Sequence, residues 1–89
     1  MRGRRTRIKR THAETLKLLR LGENIRAFRR RKGLTQIALA EKSGLDQTHI
    51  SSIERGRRRA NPSLLAVVKI SKALEVPLST LCRRIEGRD

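Results

Sequence analysis

Apolar residues recur at helical spacing along most of the chain. Leu21, Ile25 and Phe28 stand at i, i+4 and i+7, the stripe of an amphipathic helix. Gly33 follows this stripe and is predicted to end the first helix in the left-handed conformation. No segment alternates apolar and polar residues with a sustained period of two. The pattern therefore predicts an all-α fold.

Start and stop signals divide the following residues into two short helices. Thr35 is a suitable N-cap for a helix over residues 36–43, which Gly44 ends. Asp46 is a second N-cap, for a helix that runs to about residue 55 before the next glycine. Two helices of this length with a three-residue connection predict a compact helical pair.

Two prolines mark the remaining helices. Pro62 is predicted to lie just inside the start of a fourth helix, where its missing N–H costs nothing. One face of that helix, which ends at Leu74, is expected to carry Leu64, Val67, Ser71 and Leu74. Pro77 breaks the chain, and a short fifth helix is marked by Leu78, Leu81 and Ile85. The expected architecture is a compact five-helix domain over residues 21–86.

Residues 1–20 are expected to form a basic N-terminal arm. Residues 1–10 contain six basic residues, no acid and one large aliphatic residue, so this segment cannot bury a face of its own. Leu16 and Leu19 stand three residues apart, a helical spacing, which leaves open whether the arm is helical near its end. An arm that contacts DNA, in the minor groove or nonspecifically, is favoured over a transit peptide. The arginines expected to make this contact are Arg2, Arg4, Arg5 and Arg7.

The charge of the chain points to a polyanionic partner. Its 89 residues include 23 Lys and Arg against 8 Asp and Glu, a formal net charge of +15. Nucleic acid is the first candidate and an anionic membrane the second. No stretch is apolar and long enough to span a bilayer, and there is no secretory signal. The single Cys82 excludes an intrachain disulfide, fits a cytoplasmic protein and is expected to be a small buried residue.

Nothing in the sequence favours catalysis or metal binding. Cys82, His12 and His49 are the residues that commonly bind zinc, and they are far apart in the sequence. No nucleophile–base pair, glycine-rich phosphate loop or paired carboxylates were found. We therefore expect neither an enzyme, nor a metal site, nor a cofactor.

The two short helices around Gly44 have the features of a helix-turn-helix. Ala40 provides the small residue that two helices need where they cross near a right angle, and Gly44 tolerates the positive φ of a sharp turn. Apolar residues then fix both helices to the domain: Leu39, Leu45, Ile50 and Ile53. The third helix keeps an outward polar face suited to base edges or phosphates in a major groove: Gln47, Thr48, Ser51, Ser52 and Arg55.

Residues 34–56 (LTQIALAEKSGLDQTHISSIERG) and 61–81 (NPSLLAVVKISKALEVPLSTL) resemble the Cro/repressor-type, XRE-family helix-turn-helix domain. The resemblance covers roughly residues 21–81 and implies a lambda-repressor-like fold. Such a small single-domain version is also similar to the controller proteins of restriction–modification systems. The sequence departs from the family pattern at Ile37 and Ala38, where acidic or polar residues are common, so Ile37 is expected on the surface.

The resemblance also implies roles for individual residues. Glu54 is expected to pair with Arg29 of the first helix. Base contacts are expected from Gln47, Thr48, Ser51 and Ser52. Phosphate or base contacts are expected from Gln36, His49 and Arg55 and, in the loop after the third helix, from Arg57, Arg58 and Arg59.

A single helix in the major groove contacts few base pairs, so we expect a homodimer on an inverted-repeat operator. The predicted dimer surface is the fifth helix, with Leu78, Leu81 and Ile85 partly exposed in the monomer. We expect a cytoplasmic, nucleoid-associated autoregulator, repressor or restriction controller, governed by its own concentration or by a partner such as RNA polymerase. The alternatives are an antitoxin that binds a toxin and a protein that binds structured RNA.

Overall fold

The computed structural model describes residues 11–57 and 61–83, which form five α-helices and no strand. In chain order they are α1 (His12–Arg31), α2 (Gln36–Ser43), α3 (Gln47–Glu54), α4 (Leu64–Leu74) and α5 (Leu78–Leu81). The predicted all-α, five-helix architecture is confirmed. The predicted bounds of α2 agree with the observed ones, and α3 ends one residue before the predicted end.

Helix α1 begins at His12, inside the segment that the sequence left open between arm and helix. Thr11 and Glu14 form a reciprocal capping box. The backbone N–H of Glu14 donates to Thr11 Oγ1 at 3.1 Å, and the Thr11 N–H donates to Glu14 Oε1 at 2.9 Å. This pair satisfies two N–H groups that a helix start leaves unpaired and so stabilises the start of α1, which runs for 20 residues.

The later helices begin at capping residues, with two differences from the prediction. Thr35 accepts a hydrogen bond from the Ala38 N–H at 3.0 Å, as expected of an N-cap. Asp46 occupies the N-cap position of α3, but its side chain makes no capping hydrogen bond. Ser63 caps α4, so the prediction that Pro62 lies inside the helix is wrong. Pro62 precedes the cap because the serine hydroxyl satisfies the first turn.

The core lies where α1 meets α3, α4 and α5 and where α4 meets α2. The fully buried side chains are aliphatic: Ile25, Leu39, Ile50, Ile53, Ile70, Leu74 and Leu81. Leu81 has no exposed surface, so the expectation that it is partly exposed is wrong. Asn24 of α1 explains the placement of α5, because its Nδ2 donates to the carbonyl oxygens of Leu81 at 2.9 Å and Arg83 at 2.8 Å.

Leu64 lies at the border of the buried face of α4 and is 72% exposed. At about 100° per residue, Leu64 stands roughly 90° from the middle of the face that contains Val67, Ile70 and Leu74, and it lies in the first turn of the helix. Leu78 and Cys82 are half-buried and pack against the core.

Candidate nucleic-acid interface

The orientation of α3 is set by the turn after α2. Gly44 has φ +77° and its N–H donates to the Ala40 carbonyl oxygen at 2.8 Å, while the Leu45 N–H donates to the same oxygen at 3.1 Å. Ile50 and Ile53 then point into the core. Because one side of α3 is buried in the core, its opposite side faces solvent in a fixed direction.

The solvent side of α3 and the residues that follow it form one shallow depression. It is lined by Gln47, Thr48, Ser51, Ser52, Arg55 and Arg57. The two serines are half-buried and the other four residues are exposed. Every lining side chain can form hydrogen bonds, and none is acidic. Amide and hydroxyl groups can bond base edges, and the two guanidinium groups can bond phosphates.

The remaining predicted site residues lie elsewhere. Gln36 and His49 are half-buried and do not line the depression. Several others lie outside the described residues: Arg2, Arg4, Arg5, Arg7, Arg58, Arg59 and Ile85. The depression therefore joins the predicted base-contacting residues to Arg55 and Arg57, while Gln36 has a different partner.

A buried ion pair connects α1 to the end of α3. Arg29 Nε donates to Glu54 Oε2 at 2.6 Å and Arg29 Nη2 donates to Glu54 Oε1 at 3.0 Å, with side-chain exposures of 10% and 2%. Arg29 Nη1 also donates to the Leu34 carbonyl oxygen at 2.8 Å. The predicted Arg29–Glu54 pair is present. Its two parallel hydrogen bonds are the geometry in which a guanidinium and a carboxylate bind most strongly.

The carboxylate of Glu54 has a second partner that the sequence did not reveal. Gln36 Nε2 donates to Glu54 Oε1 at 3.0 Å. Because a carboxylate only accepts hydrogen bonds, this contact turns the amide nitrogen of Gln36 toward Glu54. The start of α2 is thereby tied to the end of α3. A buried acid with one expected partner was the only signal, and it does not indicate which amide lies nearby.

Helix α1 crosses α3 at a glycine. A Cβ added at Gly22 would overlap the carbonyl oxygens of Ile53 and Glu54. These oxygens belong to the last turn of α3, so the absence of a side chain at Gly22 lets α1 lie directly against the backbone that positions Arg55. On α2, Ile37 is 54% exposed, as expected from its departure from the family pattern.

Two other kinds of site, a membrane span and a metal cluster, do not occur in residues 11–57 and 61–83. None of the helices there is both long and apolar enough to cross a membrane. Within the same ranges, no three His, Cys, Asp or Glu side chains lie together in a way that could hold a metal ion.

Comparison with known proteins agrees with this geometry. The helix-turn-helix family HTH_3 matches residues 25–81. The chain is 41% identical over 69 residues to the control protein C.MunI of Mycoplasma sp, covering 76% of this chain and 90% of that protein. It is 39% identical over 61 residues to the transcriptional regulator SinR of Bacillus subtilis, covering 68% of this chain and about half (54%) of SinR.

A solved structure has the same arrangement of helices. The controller protein C.Esp1396I, bound to a 19 base pair DNA duplex, superposes with a TM-score of 0.71 at 36% identity, covering 82% of this chain and 97% of that one. The chain therefore belongs to the helix-turn-helix family of XRE-type, DNA-binding transcription regulators. Restriction–modification controller proteins and repressors are among its relatives.

Proposed function

We propose that this protein binds an inverted-repeat operator in double-stranded DNA as a homodimer and regulates transcription as an autoregulator, a repressor or a restriction–modification controller. The observation that carries the proposal is the acid-free depression along α3. Its polar side chains are displayed by a helix whose other side is fixed in the core.

In this proposal α3 lies in the major groove. Gln47, Thr48, Ser51 and Ser52 contact base edges, and Arg55 and Arg57 contact phosphates or bases at the end of the helix. Gln36 contacts the DNA from the start of α2, with its amide held by Glu54. Arg58, Arg59 and the arm arginines add attraction to the phosphates, which is independent of sequence.

The proposed dimer follows from the length of α3. Eight residues at about 1.5 Å each give a helix roughly 12 Å long, which faces only three or four base pairs at about 3.4 Å each. Two copies bound about one helical turn apart double the number of base pairs that are read. A 19 base pair duplex, the length bound by the similar C.Esp1396I, is long enough for two such half-sites.

The test is selection from a random duplex DNA library at moderate salt, followed by sequencing of the bound pool. We expect a symmetric motif with half-sites about 10 base pairs apart. The selected duplex should then resist competition by folded RNA at the same ionic strength. Enrichment of no motif, or equal competition by RNA, would contradict sequence-specific operator binding.

Variants locate the contacts within the selected motif. Thr48→Ala should relax the preference at one position of each half-site. The matched control is Ser79→Ala, because Ser79 is an exposed hydroxyl on α5 and its loss should leave affinity and motif unchanged. If the Thr48→Ala protein binds every sequence equally weakly, Thr48 does not contact a base.

A further inference from the structure

Gln36 lies between the buried ion pair and the surface of the chain. It is the first residue of α2 and is half-buried. Its Nε2 donates to Glu54 Oε1 at 3.0 Å, and the Glu54 side chain is almost completely buried. The Gln36 side chain therefore connects a buried carboxylate to the outside of the molecule.

The orientation of the Gln36 amide is fixed by the atom that it meets. A carboxylate only accepts hydrogen bonds, whereas an amide carries two N–H groups on its nitrogen and an accepting oxygen. Turning the amide over would place its oxygen against Glu54 Oε1, and two acceptors cannot bond. One N–H of Gln36 is therefore used by Glu54. Within residues 11–57 and 61–83, the second N–H of the same nitrogen has no hydrogen-bond acceptor.

The charge of Glu54 would by itself oppose a phosphate nearby. Arg29 balances that charge, because its Nε and Nη2 bind the two carboxylate oxygens. Arg29 Nη1 also donates to the Leu34 carbonyl oxygen, which fixes the guanidinium between α1 and the start of α2. Glu54 therefore offers Gln36 an acceptor that is held in place and whose charge is compensated.

The position of Gln36 favours a phosphate over a base as the acceptor of the second N–H. Gln36 does not line the depression on α3 that is proposed to meet the base edges. In a helix-turn-helix bound to DNA, the helix before the recognition helix crosses the phosphate backbone, and α2 has that place in this chain. Phosphate oxygens accept hydrogen bonds from glutamine side chains.

We propose that Glu54 is a positioning residue for DNA binding: it holds the Gln36 amide so that the second N–H of Nε2 donates to a phosphate of the DNA backbone. This rests on the proposed function, for which it names a buried residue that acts through Gln36. A glutamine side chain loses rotational freedom when it binds. In this chain the hydrogen bond to Glu54 removes much of that freedom before the DNA arrives, so the buried pair raises DNA affinity as well as stability.

The experiment is a double-mutant cycle in affinity for the selected duplex, measured by fluorescence anisotropy. Gln36→Met is made in the wild type and in the variant Arg29→Met with Glu54→Leu, which has no buried charge. In the wild type it should weaken binding about tenfold. In the variant without the buried charges it should change affinity by less than about twofold, because the amide is no longer oriented. The control Ser79→Ala, on α5, should change affinity in neither protein.

The cycle separates positioning from stability. If Glu54 only supported the fold, its replacement would lower the affinity of the double variant, but Gln36→Met would then cost as much there as in the wild type. Circular dichroism melting of each protein identifies the temperatures at which all of them are folded, and affinities are compared there.

A second variant tests the same contact without touching the ion pair. In Gln36→Glu the introduced carboxyl group faces Glu54, so the nearby like charge should raise its pKa. Its loss of affinity relative to the wild type should therefore shrink as the pH falls from about 7 to about 5. The matched control is Ile37→Glu, exposed on the same turn of α2, whose carboxyl group should keep a pKa closer to that of free glutamate and recover only at lower pH.

Equal effects of Gln36→Met in the wild type and in the double variant would overturn the inference. So would a Gln36→Met protein that binds as tightly as the wild type, or a Gln36→Glu protein with the same pH profile as Ile37→Glu. In each of these cases the proposed function stands if the wild type selects a symmetric motif. If the wild type selects no symmetric motif, the proposed function itself fails, whatever the variants do.

Discussion

The Arg29–Glu54 pair allows a quantitative test of how α1 supports the DNA-binding helix. Glu54→Gln keeps the shape of the side chain but leaves the Arg29 guanidinium, whose side chain is 10% exposed, without a compensating charge. Removing one partner of a buried pair costs about 3–5 kcal/mol. A chain of 89 residues has a total stability of roughly 4–13 kcal/mol. We therefore expect the substitution to remove a large share of the free energy of unfolding.

Urea unfolding followed by circular dichroism measures this loss. Glu41→Gln on the exposed side of α2 is the control, with an expected change within about 0.5 kcal/mol. The double variant Arg29→Met with Glu54→Leu removes both charges and should be less destabilised than the sum of its single variants. A loss below about 1 kcal/mol for Glu54→Gln, or additive single effects, would refute the view that the buried pair acts as one unit.

Three further predictions concern other parts of the molecule. Gly22→Ala should destabilise the fold by about 1–3 kcal/mol in urea unfolding, because the added methyl overlaps the Ile53 carbonyl oxygen. A gain of about 1 kcal/mol in stability, as usual for Gly→Ala within a helix, would show that α1 moves away from α3 easily. Gln47→Ala should cost about 1–3 kcal/mol in DNA affinity and relax specificity. By contrast, Arg57→Ala should weaken binding to all sequences and reduce the slope of log affinity against log salt by about 0.9. Identical behaviour of the two variants would contradict a base contact by Gln47 and a phosphate contact by Arg57. Burial raises the pKa of the Cys82 thiol above its ordinary value, so iodoacetamide should alkylate Cys82 more slowly in the folded protein than in urea at the same pH. Equal rates would show that the folded thiol is not desolvated.

Local signals in the sequence were enough to place α2, α3 and most of α4. Thr35 and Gly44 act within a few residues of the backbone they cap, so their effect can be read without knowing the fold. The capping box of Thr11 and Glu14 is a signal of the same kind. It was available in the sequence and would have placed the start of α1.

The exposure of individual leucines was decided by tertiary structure. Helical spacing assigned Leu81 to a face, but the expectation that Leu81 is partly exposed was wrong, and the spacing of Leu64 did not show that this residue is exposed. Leu81 is covered because α5 packs against α1 and α4, where Asn24 of α1 also binds the carbonyl oxygens of Leu81 and Arg83. Leu64 is exposed because it stands roughly 90° around α4 from the middle of the buried face that contains Val67, Ile70 and Leu74. Periodicity gives the spacing of a face, but its burial depends on which other elements reach it.

The sequence by itself determined the class of protein, because the turn at Gly44, the apolar residues beneath α3 and the polar residues above it are all encoded within about 20 positions. The family resemblance implied the Arg29–Glu54 pair, but only the tertiary structure added Gln36 to it. These residues are 7 to 25 positions apart in the sequence. Hydrogen bonds across such separations depend on the packing of whole helices, which no local pattern records.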